Sequence, residues 1–501
     1  MTTSLPILFV ASEMAPFART GGLGDVVGAL SKALAAQGHD VRVALPLYQA
    51  MQERVPALQC RIPALEVPMS TGPQMASVWQ EEIATPEPQH AVRIYGIGNP
   101  QYFDRPGLYG TSTGDYVDNA ERFIFFCYAV LAFIMQLRWL PVVVHCHDWQ
   151  TALLPALLRF LPQWSAGLRT AATIYTIHNL TYQGLFPPDV FPATGLPQTL
   201  FHPEGLEFFG RVNFMKAGLL YADYLTTVSP TYAEEICTPE HGAGLDGVVR
   251  LRRHVLSGIL NGVDYDVWSP EHDPALVAPY SAKDLSGKET CKRALLHTYG
   301  LPEDVHTLLI GIVARLVDQK GIDLLAEALP ALMRLNLRLV ILGTGEARYE
   351  TFLTAQAQQY PDRLGVRLGF NDALAHQIEA GSDCFLMPSR YEPCGLNQLY
   401  SLRYGTIPLV HAVGGLRDSV EPLQSATGEG TGFVFYTPSV SALLATVQAA
   451  VDTYEDQSLW RRMMQNAMGK DFSWQQSARL YLDLYGRAIA LKQGLAAPGT
   501  G

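Results

Sequence analysis

Both halves of this chain alternate short apolar runs with longer amphipathic segments, and no other feature constrains the fold as much. Apolar runs of five or six residues are typical of strands buried on both faces, and the amphipathic segments between them are typical of helices. Strands joined in this way by crossover helices form parallel sheets. The sequence therefore predicts an α/β fold built on parallel sheets.

The apolar runs fall into two sets that are separated by a polar, proline-containing stretch. They predict strands near 6–11, 40–45, 142–146, 172–177 and 224–228, then near 308–313, 338–342, 365–369, 383–387 and 407–410. Asn261-Gly262-Val263-Asp264 and three following prolines predict a hinge, and a chain of 501 residues is too long for one ordinary core. We expect domains over 1–265 and 266–475, then, over 476–501, a helix that crosses back to the first domain and a flexible tail.

Composition and charge exclude several classes of protein. The net charge of −11 argues against nucleic acid or an anionic membrane as the main partner. Seven cysteines without a CxxC pair favour a reducing compartment over a disulfide framework or a zinc site. The first apolar run is short and leads into Glu13, so it predicts a strand rather than a signal peptide. No apolar run approaches membrane-spanning length, and we expect a cytoplasmic protein.

Two glycine-containing turns stand between a predicted strand and a predicted helix, one in each half. The first, over 19–27, contains Gly21-Gly22-Leu23-Gly24-Asp25, and the second, over 388–396, ends in Glu392-Pro393-Cys394-Gly395-Leu396. Glycine lets a backbone approach a ligand closely, and the amides at a helix N-terminus attract phosphate. The alternative for each turn is that it only begins a helix and binds no ligand. Together they predict a chain that holds a nucleotide-linked substrate.

Polar side chains follow two neighbouring strands of the first half. Asp148 comes directly after the strand near 142–146, and His178 and Asn179 follow the strand near 172–177. Ligands of open α/β sheets bind at the carboxyl ends of strands. Asp148 can bind sugar hydroxyls or stabilise positive charge there, or it can cap a helix beginning at Trp149. We expect His145, inside the strand, to be a hydrogen-bonded core residue.

The second half places cations after its first strand. Arg315 and Lys320 lie five residues apart, where a guanidinium fork and an ammonium can converge on one diphosphate. Solvated loop charges are the alternative, which the second glycine turn further along the chain disfavours. Glu392 can accept hydrogen bonds from sugar hydroxyls, and Cys394 reads as a packed small residue.

Two further segments carry weaker signals. Residues 100–114, rich in glycine, proline and tyrosine, predict a surface loop that carries Tyr102, Phe103 and Asp104. Asp264-Tyr265-Asp266 has the DxD pattern of metal-dependent sugar transferases, but it lies in the predicted hinge. We expect no bound metal.

As a set, these blocks resemble those of bacterial glycogen synthases and plant starch synthases. The resemblance covers residues 7 to about 488 and rests on seven blocks in the family's order, at 19–27, 147–149, 176–179, 261–264, 315–321, 392–396 and 404–406. It implies a GT-B fold of two Rossmann-like domains with parallel sheets facing across a deep cleft. It also implies transfer of glucose from ADP-glucose to the non-reducing end of an α-1,4-glucan with retention, without a metal or other cofactor.

The resemblance also implies roles for individual residues. Arg315 and Lys320 would neutralise the donor diphosphate, and Asp148 would sit beside the anomeric centre or the acceptor. His178 and Glu392 would hold the transferred glucose. The other substrate-binding candidates are Arg19, Gly22, Asp25, Asn179, Asn261, Phe370 (against the base), Cys394, Gly395, Leu396 and Asn397. Tyr102 and Asp104 are candidates for the acceptor.

Two positions depart from the patterns of related enzymes. Arg19 stands where the family usually has lysine; it keeps the charge but does not reproduce an ammonium contact. Tyr400 stands where many retaining GT-B enzymes carry a ribose-binding glutamate, so a ribose contact must come from elsewhere. The alternatives are a retaining transferase that uses UDP-glucose or a small acceptor, and a catalytically weak glucan-binding protein.

Overall fold

The computed structural model describes residues 4–55, 58–85, 90–111 and 113–494, and these form two compact units. The first unit contains the described residues up to Val228, then Ala233–Gly262 and the described residues from Trp474 onward. The second contains Ser229–Tyr232 and Val263–Ser473. The sequence-based boundaries lay at 265 and 475, and part of the predicted tail, 495–501, lies outside the described residues.

The first unit is built on a nine-stranded sheet. The strands before the hinge are β1 (Pro6–Val10), β2 (Asp40–Pro46), β3 (Gln59–Met69), β4 (Gly72–Ile83), β5 (Val92–Gly98), β6 (Gly110–Thr111), β7 (Gly114–Asp115), β8 (Val143–His147), β9 (Ala172–Ile177), β10 (Leu185–Phe186), β11 (Glu207–Phe208), β12 (Arg211–Asn213), β13 (Tyr224–Thr227) and β14 (Leu256–Gly258). The large sheet has the order β14-β13-β9-β8-β1-β2-β5-β4-β3. It is parallel from β14 to β5, and β4 and β3 add an antiparallel hairpin.

The helices of this part of the chain are α1 (Gly22–Ala36), α2 (Gln49–Arg54), α3 (Pro100–Phe103), α4 (Asn119–Leu137), α5 (Leu153–Phe160), α6 (Pro162–Leu168), α7 (Phe214–Tyr221), α8 (Pro230–Glu235) and α9 (Asp246–Leu251). The strand order reverses between β1 and β8, because the chain first adds β2 on one side and later β8 on the other. Loops at the carboxyl ends of such a pair form the ligand crevice of open α/β sheets.

The second unit is built on a six-stranded parallel sheet of order β17-β16-β15-β18-β19-β20. Its strands are β15 (Leu308–Val313), β16 (Leu337–Gly343), β17 (Leu364–Leu368), β18 (Cys384–Met387), β19 (Ile407–His411) and β20 (Phe433–Phe435). Its helices are α10 (Ser286–Tyr299), α11 (Ile322–Leu332), α12 (Ala347–Gln359), α13 (Asp372–Gly381), α14 (Asn397–Tyr404), α15 (Gly414–Ser419), α16 (Val440–Glu455) and α17 (Gln457–Met468). The order reverses between β15 and β18, as in a dinucleotide-binding fold.

Apolar residues on both faces of this sheet explain its continuous apolar strands. Leu308, Ile310 and Ile312 of β15 belong to one buried cluster, and Leu309 belongs to a cluster on the other face. Each side chain of this size stabilises the fold by about 1.5–3 kcal/mol when fully buried. Alternating burial on two helix-covered faces is what a parallel sheet requires.

The last helix, α18 (Trp474–Lys492), belongs to the first unit. The hydroxyl of Ser477 donates to the carbonyl of Leu260 at 2.7 Å. At Gly262 a Cβ atom would lie 2.7 Å from the backbone of Trp474, so a residue without a side chain lets the two chain segments meet.

Two expectations from the sequence are wrong. No apolar run was expected to approach membrane-spanning length, but among the described helices α4 alone is long and apolar enough to cross a membrane. In the protein, 78% of its most apolar window is buried, as in a core helix. Residues 100–103 form helix α3, not a surface loop, and Tyr102 and Phe103 are buried against Phe125. Asp104 is exposed, and residue 112 of the predicted loop lies outside the described residues.

Candidate active site

The loop that follows β1 is organised by a buried carboxylate. Glu13 accepts hydrogen bonds from the amide and hydroxyl of Thr20 at 2.6 and 2.7 Å, from the amide of Gly21 at 3.3 Å and from the hydroxyl of Tyr109 at 2.7 Å. The amides of Thr20 and Gly21 are therefore not available to a phosphate. Within the described residues, the next amides, those of Gly22 and Leu23 in the first turn of α1, have no acceptor.

Arg19 and Asp25 flank the same turn. The Nε atom of Arg19 lies 3.0 Å from Oδ1 of Asp25, and the two side chains are 41% and 22% exposed. A pair this accessible contributes less than about 1 kcal/mol to stability. The side chain of Arg19 therefore stays partly exposed and charged at the surface of the loop.

Asp148 stands at the carboxyl end of β8 in a strained conformation. Its φ is +54°, in the left-handed region that aspartate tolerates better than most residues. Its Oδ1 atom accepts from the amide of His178 at 2.8 Å, so the side chain ties the end of β8 to the end of β9. Helix α5 begins only at Leu153, so Asp148 is not the helix cap that the sequence allowed as an alternative.

Burial controls the protonation of this edge of the sheet. Desolvation raises the pKa of Asp148 to about 7, against the opposing hydrogen bonds from the amides of His178 and Asn179. Desolvation lowers the pKa of His178 to about 3, which leaves its imidazole neutral. The site thus combines a carboxyl group that titrates near neutrality with a histidine that does not.

Three histidines lie side by side under this edge. His145 is hydrogen-bonded at both ring nitrogens, to the hydroxyls of Tyr485 at 2.7 Å and Thr176 at 2.6 Å, which confirms the core role predicted for it. The Nδ1 atom of His147 lies 3.0 Å from Nε2 of His178 in a hydrogen bond. His178 is therefore positioned from below by His147, and its backbone is held by Asp148.

The two asparagines predicted for this side differ in their surroundings. The Oδ1 atom of Asn179 accepts from the amide and hydroxyl of Thr181 at 3.0 and 2.6 Å, so this oxygen is used within its own turn. Asn261 is buried, and its Oδ1 atom has no partner within the described part of the chain. An unpartnered buried oxygen leaves an acceptor that a ligand can satisfy.

In the second unit, Arg315 and Lys320 lie on the loop after β15, and Lys320 contacts Glu392 on the loop after β18. Lys320 Nζ lies 2.6 Å from Oε2 of Glu392, and the hydroxyl of Ser389 donates to the same oxygen at 3.0 Å. Among the described residues no group bonds Oε1 of Glu392. The exposed guanidinium of Arg315 donates to Oε1 of Gln319 at 2.9 Å. Among the described residues, the strand reversal thus carries one carboxylate oxygen without a hydrogen bond and one exposed guanidinium.

Glycine is required where these loops touch. Gly321 has φ +70°, and a Cβ atom there would lie 2.0 Å from the carbonyl oxygen of Pro388. At Gly415 a Cβ would lie 2.1 Å from the carbonyl oxygen of Cys394. These contacts fix the loop that carries Glu392 from two sides.

The second glycine turn leads into helix α14. Gly395 has φ +70°, Leu396 is half-buried, and Cys394 is buried as a packed residue. The side-chain amide of Asn397 donates to the carbonyl of Val313 at 2.8 Å, so it ties the start of α14 to β15. The glycine turn follows β18, one of the two strands between which the strand order reverses.

Two aromatic residues have contrasting environments. Phe370, after β17, is 79% exposed and therefore accessible to a flat ring. Tyr400 is buried, with its ring stacked on Trp268 at a centroid distance of 3.8 Å. The position that carries a ribose-binding glutamate in related enzymes is here a core contact.

The DxD segment forms a turn. The amide of Asp266 donates to Oδ1 of Asp264 at 3.1 Å, and the hydroxyl of Tyr265 accepts from the amide of Phe472 at 2.9 Å. Within residues 4–55, 58–85, 90–111 and 113–494, no group of three His, Cys, Asp or Glu side chains is arranged to hold a metal ion.

The structure thus brings the predicted residues together in two sets. Asp148 and His178 form one at the edge of the first sheet, and Lys320 and Glu392 form the other at the edge of the second. Arg315 is linked to the loop of Glu392 through Gln319, which donates to the carbonyl of Tyr391 at 3.5 Å. Tyr102 is withdrawn into the core. Nothing in the sequence pattern pointed to Glu13, which lies three residues beyond the end of β1, whereas Asp148 follows β8 directly.

Comparison with known proteins agrees with this geometry. The family described as the starch synthase catalytic domain matches residues 6–251, and the family described as glycosyl transferases group 1 matches residues 300–468. A glycogen synthase from Anaeromyxobacter dehalogenans (strain 2CP-1) is 49% identical over 484 residues, covering 96% of this chain and 98% of its own. A glycogen synthase from Koribacter versatilis is 46% identical over 482 residues, with 96% and 98% covered.

Among solved structures, the catalytic domain of starch synthase IV from Arabidopsis thaliana, bound to ADP and acarbose, matches with a TM-score of 0.88 and 35% identity. The match covers 97% of this chain and all of that one. Sucrose-phosphate synthase from Thermosynechococcus elongatus, 18% identical with a TM-score of 0.59, shares the fold. These similarities confirm the predicted family and the GT-B fold class.

Proposed function

This chain belongs to the family of bacterial glycogen synthases and plant starch synthases, which are glycosyltransferases, and from that premise we propose a specific reaction for it. It transfers glucose from ADP-glucose to the non-reducing 4-hydroxyl of an α-1,4-glucan, with retention of the anomeric configuration. The observation that carries the proposal is the grouping of Arg315, Lys320 and Glu392 at the strand reversal of the second sheet.

Arg315 and Lys320 stabilise the departing diphosphate. As the bond from the anomeric carbon to phosphate breaks, negative charge grows on the phosphate oxygen, and preorganised cations lower the energy of that state. An ammonium group has three donors, so Lys320 can bind phosphate while it keeps its hydrogen bond to Glu392. These cations and the amides of the glycine turns take the place of a metal ion in this proposal.

Glu392 and His178 hold the transferred glucose. Lys320 and Ser389 both bond Oε2 of Glu392, so Oε1 is the oxygen that accepts a sugar hydroxyl. Asp148, in its ionised form, stabilises the positive charge that develops at the anomeric centre. Phe370 stacks against the adenine, because most of its ring surface is exposed and would be buried by a flat base.

Retention follows from attack on the face that the phosphate leaves. The bond from the anomeric carbon to the phosphate oxygen breaks, the bond to the glucan O4 forms, and the proton of the 4-hydroxyl passes to the departing phosphate. Oδ1 of Asp148 already accepts from a backbone amide, so we assign Asp148 an electrostatic role rather than that of a nucleophile. A glycosyl-enzyme trapped on any carboxylate would overturn this assignment.

The test is nucleotide release by the purified protein with glycogen, with ADP-glucose and UDP-glucose compared at equal concentration. We expect glycogen-dependent release of ADP, weaker release of UDP, and an α-configured new linkage by proton NMR. Arg315→Ala should lower kcat by about 100-fold or more, since it removes one preorganised charge. Arg293→Ala is the matched control, because that exposed arginine pairs with Glu289 within helix α10 and not with a residue of the loop over 315–321. Glucan binding without nucleotide release from either donor would contradict the proposal.

A further inference from the structure

The hydrogen bond between His147 and His178 defines which nitrogen of each ring carries a proton. Both rings are buried, and burial lowers the pKa of each, well below the ordinary value for His147 and to about 3 for His178. Two neutral imidazoles that share one hydrogen bond have one N–H and one bare nitrogen in that contact. The other nitrogen of each ring is then fixed as well.

The other nitrogen of His147 decides between the two arrangements. Its Nε2 atom is buried and has no hydrogen-bond partner within the described residues. The ring lies against Phe9, stacked at 5.5 Å between centroids, and against His145 at 4.2 Å. An unpaired buried polar group costs about 1–3 kcal/mol, and orphaned backbone N–H groups are rarer in folded proteins than under-satisfied acceptors. We therefore assign the proton of His147 to Nδ1, which leaves a bare nitrogen rather than an unpaired N–H at Nε2.

The proton on Nδ1 of His147 determines which nitrogen of His178 is protonated. His147 Nδ1–H donates to Nε2 of His178, so the single proton of the neutral His178 ring resides on Nδ1. Within the described part of the chain no group bonds Nδ1 of His178. This N–H belongs to the same residue whose backbone amide bonds Asp148.

We propose that His147 is a positioning residue, which holds His178 in the Nδ1–H form so that this N–H donates to one hydroxyl of the transferred glucose. The identity of the sugar rests on the proposed function, whereas the placement of the protons rests on the free protein alone. His147 touches no substrate and acts only through His178.

The variants separate this role from simple packing. His147→Phe keeps the ring and removes the donor, so the Nε2–H form of His178 becomes populated. His147→Asn places a side-chain amide near the position of Nδ1 and can restore the donor. His145→Phe is the matched control, because His145 lies on the same strand and is equally buried but bonds Tyr485 and Thr176 instead of His178.

The first measurement needs no catalysis. In protein carrying ¹⁵N-histidine, nitrogen chemical shifts distinguish protonated from bare ring nitrogens. We expect the Nδ1–H form for His178 in the wild type and in His145→Phe, and a mixture of both forms in His147→Phe. A wild-type His178 protonated on Nε2 would overturn the proposal, whatever the activity of the protein.

The second measurement uses ADP-glucose and its four monodeoxy analogues as donors. In the wild type, one missing hydroxyl should lower kcat/KM by about 10-fold or more through the lost bond to His178, since the N–H is left unpaired. That penalty should shrink several-fold in His147→Phe, return in His147→Asn, and stay unchanged in His145→Phe. Equal losses for all five donors in His147→Phe would show a packing role and refute the proposal. If no donor is used by the wild type, the proposed function fails while the ¹⁵N result still decides the proton placement.

Discussion

Replacing Asp148 by Asn should remove a large pH dependence from the stability of the first unit. The pKa of this buried carboxyl is raised from 3.8 to about 7, chiefly by desolvation. Between those values the unfolded chain is ionised while the folded protein keeps the proton, so folding takes up one proton. The free energy of unfolding contributed by this group therefore falls as pH rises, by about 1.4 kcal/mol per pH unit and about 4 kcal/mol in all.

Asparagine is the closest substitution at this position, and any cost of placing its NH₂ near the amide of Asn179 is the same at every pH. It tolerates the left-handed backbone, where φ is +54°, and its side-chain oxygen can still accept from the amide of His178. Alanine would be strained at this positive φ, and its own loss of stability would add to the difference between variant and wild type. Between pH 5 and pH 7 the variant should gain about 2.5 kcal/mol relative to the wild type, because only the wild type titrates.

Thermal unfolding of both proteins from pH 5 to pH 8 measures this difference. For a unit of this size, 1 kcal/mol corresponds to about 2–4 °C in Tm, so the two melting curves should diverge by about 5–10 °C across the range. The kcat/KM of the wild type should rise about tenfold per pH unit below pH 7 and then level off, as the carboxylate forms. A Tm difference that stays constant with pH would refute the assigned burial of the charge.

Three further substitutions, one of them with a control variant, have defined outcomes. Glu13→Leu should lower the stability of the first unit by about 3 kcal/mol and raise the KM for the donor, because the amides of Thr20 and Gly21 would lose their acceptor; thermal melts and ADP release measure both. Gly321→Ala should lower kcat/KM more than 10-fold, because its Cβ would lie 2.0 Å from the carbonyl oxygen of Pro388. Gly300→Ala is its control: φ is +68° there too, but the space around it is open, so the variant should lose only about 1 kcal/mol of stability and keep its kinetics unchanged. Arg19→Lys should change stability by less than about 1 kcal/mol, since its pair with Asp25 is exposed; a kcat restored from zero would mean instead that Arg19 had suppressed catalysis.

The strands that were predicted from continuous apolar runs are confirmed to within one or two residues, because a strand covered on both faces must be apolar throughout. The hairpin of β3 and β4 escaped this reasoning, since most of its residues are exposed or half-exposed and the apolar signal is diluted. The short edge strands β14 and β20 have only three residues each, too few to form a pattern.

Within the candidate site, sequence reasoning found groups at strand ends and missed groups whose roles depend on distant partners. Asp148 and His178 could be placed on one edge because parallel neighbours end on the same side of a sheet. The role of Glu13 depends on Tyr109, 96 residues away, and Tyr102 was misplaced because its burial depends on Phe125 in another helix. Such contacts follow from the folded chain and leave no local pattern.

The return of α18 to the first unit determines when that unit can be completed during synthesis. Residues 263–473 form one continuous segment, so the second unit can fold as soon as the ribosome has released it. The first unit lacks the helix that supplies Tyr485 to His145 until residues 474–492 have emerged, after the whole of the second unit. A nascent chain halted before residue 474 therefore exposes the apolar surface that α18 covers, and the half that is made first is the half that is finished last.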